Sequence, residues 1–488
     1  MSDANATLPS GAMLIGDEWV KDTSGGTYEH IFAATGRPNA EIAVAGAEEV
    51  DRAVGSAWAA QREWISWTVD QRRDALIRLA DLVHEHTDEL TAINTHDYAV
   101  PVLVSPAHPN QLERFLRYYA GWVDKGVGTA SPVSQSHDLM SIEREPYGVV
   151  AVILPWNGPL FVIGMNVAPA LAAGNAVVIK PPELAPLGPL RFGELCLEAG
   201  LPPGLVNVVT GDAETGDLVV RHPGIRKIHF TGGGGIAQKI TVAAAENLTP
   251  VATELGGKSA NIIFADADIQ AAAGLAAFQG PLGQSGQSCA CGSRILVQDS
   301  IYDEFMQQFV AIVEGATVGD PFDPSVVVGP VISQPAMERI LGVIDQSVEQ
   351  RMGRLVTGGK RLGGDLADGY YIAPTVFEGV ANDTPLARIE TFGPVVSVMR
   401  FSEEAEAVRI ANDTPFGLNA FLSTTNLNRA NRVARQLEAG SVWVNAPSDI
   451  TPQGPYGGYK QSGVGRAGGL EGLHEFMQVK MIRYGMPA

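Results

Sequence analysis

Cysteine is scarce in this sequence, with three among 488 residues. So few cysteines cannot build the disulfide framework of a small secreted domain. A structural zinc site needs a full set of Cys, His or carboxylate ligands at matched spacings. The nine histidines are scattered, and His84 and His86 stand too close together to share a helix face. The composition therefore excludes a disulfide scaffold and gives no support to a metal site, and we expect no metal.

Positive charge is also in short supply, because 34 Lys and Arg face 54 Asp and Glu, a formal net charge of −20. Nucleic acids and anionic membrane surfaces bind positively charged proteins, so neither is an expected partner. The sequence shows no basic segment followed by an apolar run, the pattern of a secretory signal. These absences predict a soluble, cytoplasmic protein. Its 45% hydrophobic content can supply a large core.

Charged residues are absent altogether between Gly148 and Lys180, a run long enough to cross a bilayer. Pro155, Pro159 and Pro169 interrupt it, and three asparagines add polar groups. A lipid-exposed helix would have to satisfy every backbone group that the prolines free. We therefore interpret the run as a buried strand, a turn and a buried helix, with a membrane span as the disfavoured alternative.

Short β-rich runs alternate with helical periodicity along most of the chain. Helical spacing of apolar residues is clear over residues 50–95 and 301–316. The runs that predict strands cover residues 148–154, 175–181, 205–211, 227–232, 250–257, 260–264, 294–298, 394–401 and 441–446. This alternation predicts an α/β fold with parallel sheets, in which ligands bind at the carboxyl ends of the strands. The final run, QVKMIRYG, predicts an edge strand that pairs outside its own domain.

The segment GQSGQSCACGSR places Cys289 and Cys291 among small residues. A disulfide across one residue would be strained, and composition alone favours packing, because free cysteine behaves as a small buried hydrophobe. Gly283, Gly286 and Gly292 nevertheless leave room for a substrate to approach Cys289. If Cys289 is a nucleophile, the chain must also supply a base and a donor for the oxyanion.

Candidates for both groups follow β-rich runs. Glu254 lies in TELGGKS, and Asn157 lies in the proline-bracketed turn LPWNGP. A positioned carboxylate can act as a base, and a fixed side-chain amide can hold an oxyanion. Taken singly, each has a plainer interpretation: Glu254 as a solvated surface glutamate, and Asn157 as a turn residue. Only their combination with Cys289 points to catalysis.

Seven motifs in order resemble the aldehyde dehydrogenase superfamily, and they extend over nearly the whole chain. They are PWN at 155–157, KPPE at 180–183, FTG at 230–232, ELGGK at 254–258, GQSC at 286–289, ETFGP at 390–394 and PYGGYKQSGVGR at 455–466. The resemblance implies a Rossmann-like NAD-binding domain, an α/β catalytic domain, a small β oligomerisation arm, and a homo-oligomer, either a dimer or a tetramer. The implied domains cover residues 10–122 and 147–256, residues 257–468, and residues 123–146 and 469–488, respectively.

The resemblance implies a reaction centred on Cys289. This thiol would attack an aldehyde carbonyl, while the Asn157 amide and the Cys289 backbone N–H hold the oxyanion. Hydride transfer to NAD would leave a thioester, which water activated by Glu254 would hydrolyse to the carboxylic acid. One alternative is a CoA-acylating relative, a class that lacks the glutamate matching Glu254. The other is a non-catalytic homologue, which would lack at least one of these three residues.

Cofactor contacts are implied in the same way. Lys180 and Glu183 match the pair that holds the adenosine ribose, and a carboxylate there favours NAD over NADP because it would repel a 2′-phosphate. Glu390 matches the residue that binds the nicotinamide ribose. Gly232 and Gly233 would lie at a helix N-terminus near the pyrophosphate. The other implied contacts are Pro155, Trp156, Gly211, Leu255 and Phe392.

Departures from the family pattern affect the expected ligands. Four glycines, 232–235, replace hydroxyl-bearing residues in the pyrophosphate loop, although alone they indicate only a flexible loop. Gly158 stands where an aromatic is common, and Met165-Asn166 replaces a frequent Trp-Lys pair, which predicts a roomier tunnel mouth. The implied tunnel wall comprises Gly158, Val162, Met165, Ser288, Ala290, Ile450 and Tyr456. None is cationic, so we expect an uncharged apolar or aromatic aldehyde.

Overall fold

The computed structural model describes residues 7–125, 128–133 and 138–485. Within them the strands are β1 (Met13–Ile15), β2 (Glu18–Val20), β3 (Thr27–Phe32), β4 (Arg37–Ala43), β5 (Thr129–Pro132), β6 (Leu139–Pro146), β7 (Val149–Ile153), β8 (Ala176–Lys180), β9 (Val206–Val208), β10 (Lys227–Gly232), β11 (Val251–Leu255), β12 (Ala260–Ile263), β13 (Arg294–Gln298), β14 (Arg354–Thr357), β15 (Thr375–Glu378), β16 (Val395–Phe401), β17 (Asn419–Ser423), β18 (Ser441–Val444), β19 (Gly463–Val464) and β20 (Met477–Tyr484). The α-helices are α1 (Ala47–Ser66), α2 (Val69–Glu85), α3 (Thr87–Tyr98), α4 (Ala107–Ala120), α5 (Pro159–Ala172), α6 (Leu187–Glu198), α7 (Ala213–Arg221), α8 (Gly234–Ala244), α9 (Ile269–Ala277), α10 (Tyr302–Glu314), α11 (Gln334–Glu349), α12 (Pro385–Arg388), α13 (Glu404–Asn412), α14 (Leu427–Ala434) and α15 (Gly469–Glu475). Strands and helices alternate, as the sequence predicts.

The first large sheet has eight strands in the order β19-β11-β10-β7-β8-β9-β1-β2. Its central strands, from β11 to β9, run parallel to one another. The flanking strands β1, β2 and β19 are antiparallel to their neighbours. Strands β7 and β8 are buried along their whole length, with helices such as α1 and α5 packed on them. Because side chains on both faces of these strands are buried, the strand sequences are continuous apolar runs.

The second large sheet has seven strands in the order β14-β15-β16-β13-β12-β17-β18. All its pairs are parallel except β14 with β15. The chain passes directly from the first sheet to the second through residues 256–259, because β11 belongs to one and β12 to the other. This short connection brings the carboxyl end of β11 close to the second sheet.

The helical periodicity of residues 50–95 is divided among α1, α2 and α3. The break between α1 and α2 has a local cause at Thr68. Its hydroxyl accepts a hydrogen bond from the Gln71 backbone N–H at 3.2 Å, and Gln71 Oε1 accepts one from the Thr68 N–H at 2.8 Å. This reciprocal pair is a capping box, which starts a new helix at Val69.

The uncharged run from Gly148 to Lys180 folds as β7, a turn, α5 and β8. The prediction of a buried strand, turn and helix is therefore confirmed. None of the described helices is both long enough and apolar enough to cross a membrane.

The predicted C-terminal strand is present as β20. It pairs antiparallel with β6 in a separate three-stranded sheet of order β20-β6-β5, and its Val479 and Met481 side chains are exposed. Residues 126–127, 134–137 and 486–488 of the predicted arm lie outside the described residues. The domain boundaries and the role of the arm in assembly stay predictions.

Arg294 ties the start of β13 to its surroundings. The side chain is 1% exposed and donates hydrogen bonds to the backbone oxygens of Lys258, Ile410 and Ala411, each at 2.8 Å. It also donates to Asn382 Oδ1 at 2.9 Å. A buried carbonyl that loses its donor costs free energy comparable to a lost hydrogen bond, so this one guanidinium stabilises several segments at once.

We expect Arg294→Met to lower the free energy of unfolding by about 3 kcal/mol or more, because it leaves several buried carbonyls without a donor. The measurement is the urea midpoint followed by circular dichroism. Arg409→Met is the matched control, because the Arg409 side chain is 69% exposed and pairs only at 3.6 Å with Glu406. Equal midpoints for the two variants would contradict the prediction.

Candidate active site

The loop that carries Cys289 is a strained turn held by buried hydrogen bonds. Gln284 and Ser285 have positive φ angles of 49° and 55°, which few non-glycine residues adopt. The Ser285 hydroxyl donates to the Gly329 carbonyl at 2.8 Å, and Gln287 Oε1 accepts from the Ile332 N–H at 2.8 Å. Gly286 has a φ of 68°, and a Cβ there would clash with the Gly393 carbonyl oxygen. These contacts fix the backbone that presents Cys289.

Cys289 opens into a cavity of about 210 Å³. The cavity is lined by Ala107, His108, Gln111, Pro155, Asn157, Gly158, Phe161, Val162, Met165, Thr231, Glu254, Gln284, Ser288, Cys289, Ala290, Ser448, Ile450 and Tyr456. All three predicted catalytic residues and all seven predicted tunnel residues are among them. The structure thus brings together residues that stand far apart in the sequence. Their roles stay predictions.

The Cys289 thiol is the only half-buried one of the three cysteines, all of which are free and lie within the described chain. Burial raises the pKa of Cys289 to about 12, and the Glu254 and Glu390 carboxylates add to this rise. The group is therefore a neutral thiol at neutral pH in this state. Cys291 and Cys196 are buried, and Cys291 Sγ donates to the Gly280 carbonyl at 3.4 Å, which fits a packing role.

Glu254 is buried rather than solvated, so its interpretation as a surface glutamate is wrong. It is 4% exposed, and its Oε1 is buried without a hydrogen-bond partner among the described residues. Antiparallel pairing with Gly463 on β19 covers it, and a Cβ on Gly457 would lie 2.7 Å from Oε1. Burial raises the pKa of Glu254 well above its usual range, an effect that the Arg466 charge only partly opposes.

Asn157 is held at the cavity wall by its own amide. Its Nδ2 donates a hydrogen bond to the Gln287 carbonyl at 2.9 Å, which links the turn after β7 to the Cys289 loop. A side-chain amide carries two N–H groups, so one remains for a ligand in the cavity. The turn-residue interpretation is incomplete, because this side chain joins two loops of the site.

His108 on α4 is a cavity residue that the sequence did not reveal. Its Nε2 accepts from Gln284 Nε2 at 2.8 Å, so its Nδ1–H faces Tyr98 Oη at 2.5 Å. Burial lowers the pKa of His108 to about 4, so the ring is neutral. A Cβ on Gly158 would lie 3.6 Å from His108 Cε1, so the histidine fills part of the room that the glycine leaves.

Other unpredicted lining residues come from α4, α5, β10 and two loops. They are Ala107, Gln111, Phe161, Thr231, Gln284 and Ser448. No sequence pattern links α4 to the Cys289 loop, so only the packing of α4 against α5 reveals these contacts. The prediction of a roomier tunnel mouth, which was based on Gly158 and Met165-Asn166, therefore did not include these residues of the wall.

The predicted cofactor residues gather at the carboxyl edge of the eight-stranded sheet, as expected for a ligand of a parallel sheet. Pro155 and Trp156 follow β7, Gly211 follows β9, and Lys180, Gly232 and Leu255 are the last residues of β8, β10 and β11. Gly233 is the N-cap of α8, with open space around its Cβ position. The N-terminus of α8 is therefore accessible to an anion.

Two carboxylates flank this edge. Glu183 Oε2 lies 3.4 Å from Lys180 Nζ, and burial lowers the pKa of that lysine. Glu390 Oε1 accepts from the Gly257 N–H at 3.0 Å, and burial raises the pKa of Glu390. Phe392 meets the Trp156 ring edge-on, with 5.3 Å between centroids. The described residues contain no cluster of ligands that could hold a metal ion.

Comparison with known proteins defines the class. The family model described as the aldehyde dehydrogenase family matches residues 19–482. The chain is 40% identical over 475 residues to aldehyde dehydrogenase family 2 member B4, mitochondrial, of Arabidopsis thaliana, covering 96% of this chain and 87% of that protein. The chain therefore belongs to the aldehyde dehydrogenase family. The predicted family and enzyme class are confirmed.

Solved structures agree with this assignment. Betaine aldehyde dehydrogenase from Staphylococcus aureus in complex with NAD+ superposes with a TM-score of 0.95 at 36% identity, covering 98% of this chain and 95% of that one. A putative aldehyde dehydrogenase from Burkholderia cenocepacia gives 0.95 at 37% identity, covering 98% of each chain. The predicted fold class is thereby confirmed.

We expect iodoacetamide to label Cys289 before Cys196 or Cys291, because only Cys289 is partly accessible. The rate constant should rise about tenfold per pH unit between about pH 6 and 9, because the thiolate fraction does so below the pKa. Peptide mass spectrometry after timed quenching measures each site, and Cys289→Ala is the control. Equally fast labelling of Cys196 would show that the burial pattern is wrong.

Proposed function

We propose that this enzyme oxidises an uncharged apolar or aromatic aldehyde to its carboxylic acid with NAD, and that water accepts the acyl group. The observation that carries the proposal is the convergence of Cys289, Glu254 and Asn157 on one largely apolar cavity. Each of the three belongs to a different segment, and each has the chemistry that one step of the reaction needs.

The first step needs Cys289 as the nucleophile. The thiol first gives its proton to solvent water, and the resulting thiolate forms a bond to the aldehyde carbon. The negative charge moves to the carbonyl oxygen, where the free N–H of Asn157 and the Cys289 backbone N–H stabilise it. Removing one such donor typically costs about 10²–10³ in rate. The Gln287 carbonyl keeps the Asn157 amide in place for this task.

The residues present fit NAD. When bound, NAD supplies the acceptor for the hydride that leaves the thiohemiacetal carbon. Gly233 exposes the start of α8 to the pyrophosphate, and its bare backbone lets an anion approach closely. Glu390 is held by the Gly257 N–H in a position to receive ribose hydroxyls. The Glu183 carboxylate beside Lys180 accepts hydroxyl hydrogen bonds and disfavours a 2′-phosphate.

The second step needs Glu254 as the base. Burial raises its pKa and so favours the neutral carboxyl, which must give its proton to solvent before it can act as a base. It can then take a proton from a water molecule that attacks the thioester, and the C–S bond breaks. A positioned carboxylate of this kind contributes about 10²–10⁴ in rate. Its presence argues against the CoA-acylating alternative, and the presence of all three residues argues against a non-catalytic homologue.

The cavity wall supports an uncharged substrate. Among the described lining residues none is Lys or Arg, Glu254 is the single carboxyl, and His108 is neutral. The Staphylococcus aureus relative is named for betaine aldehyde, so that aldehyde belongs in any substrate panel. A site lined by Phe161, Val162, Met165 and Ile450 favours apolar contact over ion pairing.

Assembly and compartment are part of the proposal. We infer a dimer or tetramer, in which the arm of residues 123–146 and 469–488 extends a neighbour's sheet through β20, the edge strand of its sheet among the described residues. The proposed domain division, at residues 10–122 with 147–256 and at 257–468, separates the strands of the two large sheets except for β19, which pairs with β11 of the first sheet. A cytoplasmic location suits an enzyme that depends on a reduced thiol.

We expect NADH formation from apolar and aromatic aldehydes without CoA, and none from Cys289→Ala, because the thioester route needs the sulfur. The measurement is absorbance at 340 nm across a panel that includes benzaldehyde, hexanal, betaine aldehyde and succinate semialdehyde. Asn157→Ala should retain about 10⁻²–10⁻³ of kcat. Turnover that requires CoA would contradict the hydrolytic proposal, and clear preference for either charged aldehyde would contradict the substrate class.

We expect Glu183→Gln to raise the ratio of kcat/KM for NADP to that for NAD by about tenfold, because it removes a negative charge facing the 2′-phosphate. Glu194→Gln is the control, since its half-buried carboxylate pairs with the buried Arg191 on α6. An unchanged ratio in Glu183→Gln would show that this carboxylate does not face the ribose.

A further inference from the structure

Tyr456 presents a fixed hydroxyl group to the Cys289 sulfur. The Oη and Sγ atoms are 4.0 Å apart, and Asn419 Nδ2 donates a hydrogen bond to the same Oη at 3.1 Å. Tyr456 is 4% exposed. Its backbone N–H and carbonyl pair with Ala467 at 2.6 and 2.8 Å. The Tyr456 backbone is therefore fixed by its pairing with Ala467, and the hydroxyl is fixed by Asn419.

The Asn419 contact determines which way the hydroxyl hydrogen points. A phenol has one hydrogen to donate and two lone pairs to accept. Because the Asn419 amide occupies a lone pair, the hydrogen is left for another acceptor, and the Cys289 sulfur lies within reach. Hydrogen bonds to an ionised acceptor are shorter and stronger than those to a neutral one. The contact therefore strengthens when the thiol becomes a thiolate.

We propose that Tyr456 is a positioning residue that donates a hydrogen bond to the Cys289 sulfur and favours its thiolate, and that Asn419 orients the hydroxyl for this purpose. The proposal rests on the proposed function in one respect, namely that Cys289 is the nucleophile.

A hydrogen-bond donor at the sulfur would counteract the raised pKa of Cys289 in this cavity. The titratable groups around the sulfur are Glu254 on β11, Glu390 before β16, Cys291 in the same loop, His108 on α4 and Tyr456 itself. Lys258 is a buried cation outside the cavity wall, and its charge acts on Cys291 and Glu390. Burial and the two carboxylates raise the pKa of Cys289, and none of the groups near it that the structure describes in the cavity wall is a cation. The Tyr456 hydroxyl lowers that pKa and so partly offsets the rise.

The test is the iodoacetamide reaction of full-length Tyr456→Phe between about pH 6 and 9, without aldehyde or cofactor. We expect the logarithm of its rate constant to rise with pH at the same slope as that of the wild type. The rate constant itself should be about three- to tenfold lower at every pH. Loss of a hydrogen bond to a charged group lowers the thiolate fraction about tenfold, and the greater nucleophilicity of the remaining thiolate offsets part of this loss. A role only in packing would not move this rate.

Two further variants sharpen the test. Tyr459→Phe is the matched control, because Tyr459 lies in the same loop but is 48% exposed, and it should react like the wild type. Asn419→Leu should slow the reaction less than Tyr456→Phe does, and the double variant should be no slower than Tyr456→Phe alone, because both act through one hydroxyl. If circular dichroism shows that Tyr456→Phe does not fold, Asn419→Leu becomes the deciding variant. A slower alkylation of Asn419→Leu than of the wild type would support the proposal, and an unchanged rate would contradict it.

Two outcomes would overturn the proposal. An unchanged rate in folded Tyr456→Phe would mean that the hydroxyl does not act on the sulfur. A faster rate would mean that the hydroxyl donates to the Asn419 amide and accepts from the thiol. Because the labelling needs neither NAD nor aldehyde, these results leave the proposed function intact. That function fails separately if Cys289→Ala retains turnover.

Discussion

The placement of Cys289 and Glu254 on one largely apolar cavity is the constraint on which the rest of the site depends. Both groups favour their neutral forms there, and the Glu254 carboxylate raises the pKa of the thiol. Two negative charges in a cavity of low polarity repel, so ionisation of one group disfavours ionisation of the other. The site therefore favours a single negative charge, on sulfur or on Glu254, and we call this charge exclusion.

In the proposed reaction, charge exclusion would set the order of the steps. While the sulfur attacks, Glu254 would stay protonated and would not compete for the oxyanion donors. Once the thioester had formed, the sulfur would carry no charge, and Glu254 could ionise and take a proton from water. The same residue would thus be inactive in the first step and act in the second. The described cavity wall contains no lysine or arginine. In the proposed reaction, the Asn157 amide and the Tyr456 hydroxyl would therefore be the neutral donors that stabilise negative charge there.

The sequence could predict most of this site, because the functional residues sit in short motifs at the ends of predicted strands. The carboxyl ends of parallel strands lie at one edge of a sheet, which accounts for the convergence of Asn157 after β7 and Glu254 on β11. What the sequence could not show was the environment. Glu254 is buried because the distant strand β19 pairs beside it and Gly457 lets its carboxyl approach. His108 reaches Gln284 across 176 residues of sequence, and no local pattern encodes such a contact.

The most direct test of the account is rapid-mixing measurement of NADH formation by Glu254→Gln, with intact-protein mass spectrometry of the same samples. Charge exclusion predicts a burst of about one NADH per site at a rate at least equal to that of the wild type, followed by loss of steady turnover. The acyl group should then remain on Cys289, because hydrolysis alone needs the carboxylate. A variant that shows no burst and no acylated protein would contradict the account, since Glu254 would then be needed to form the thiolate.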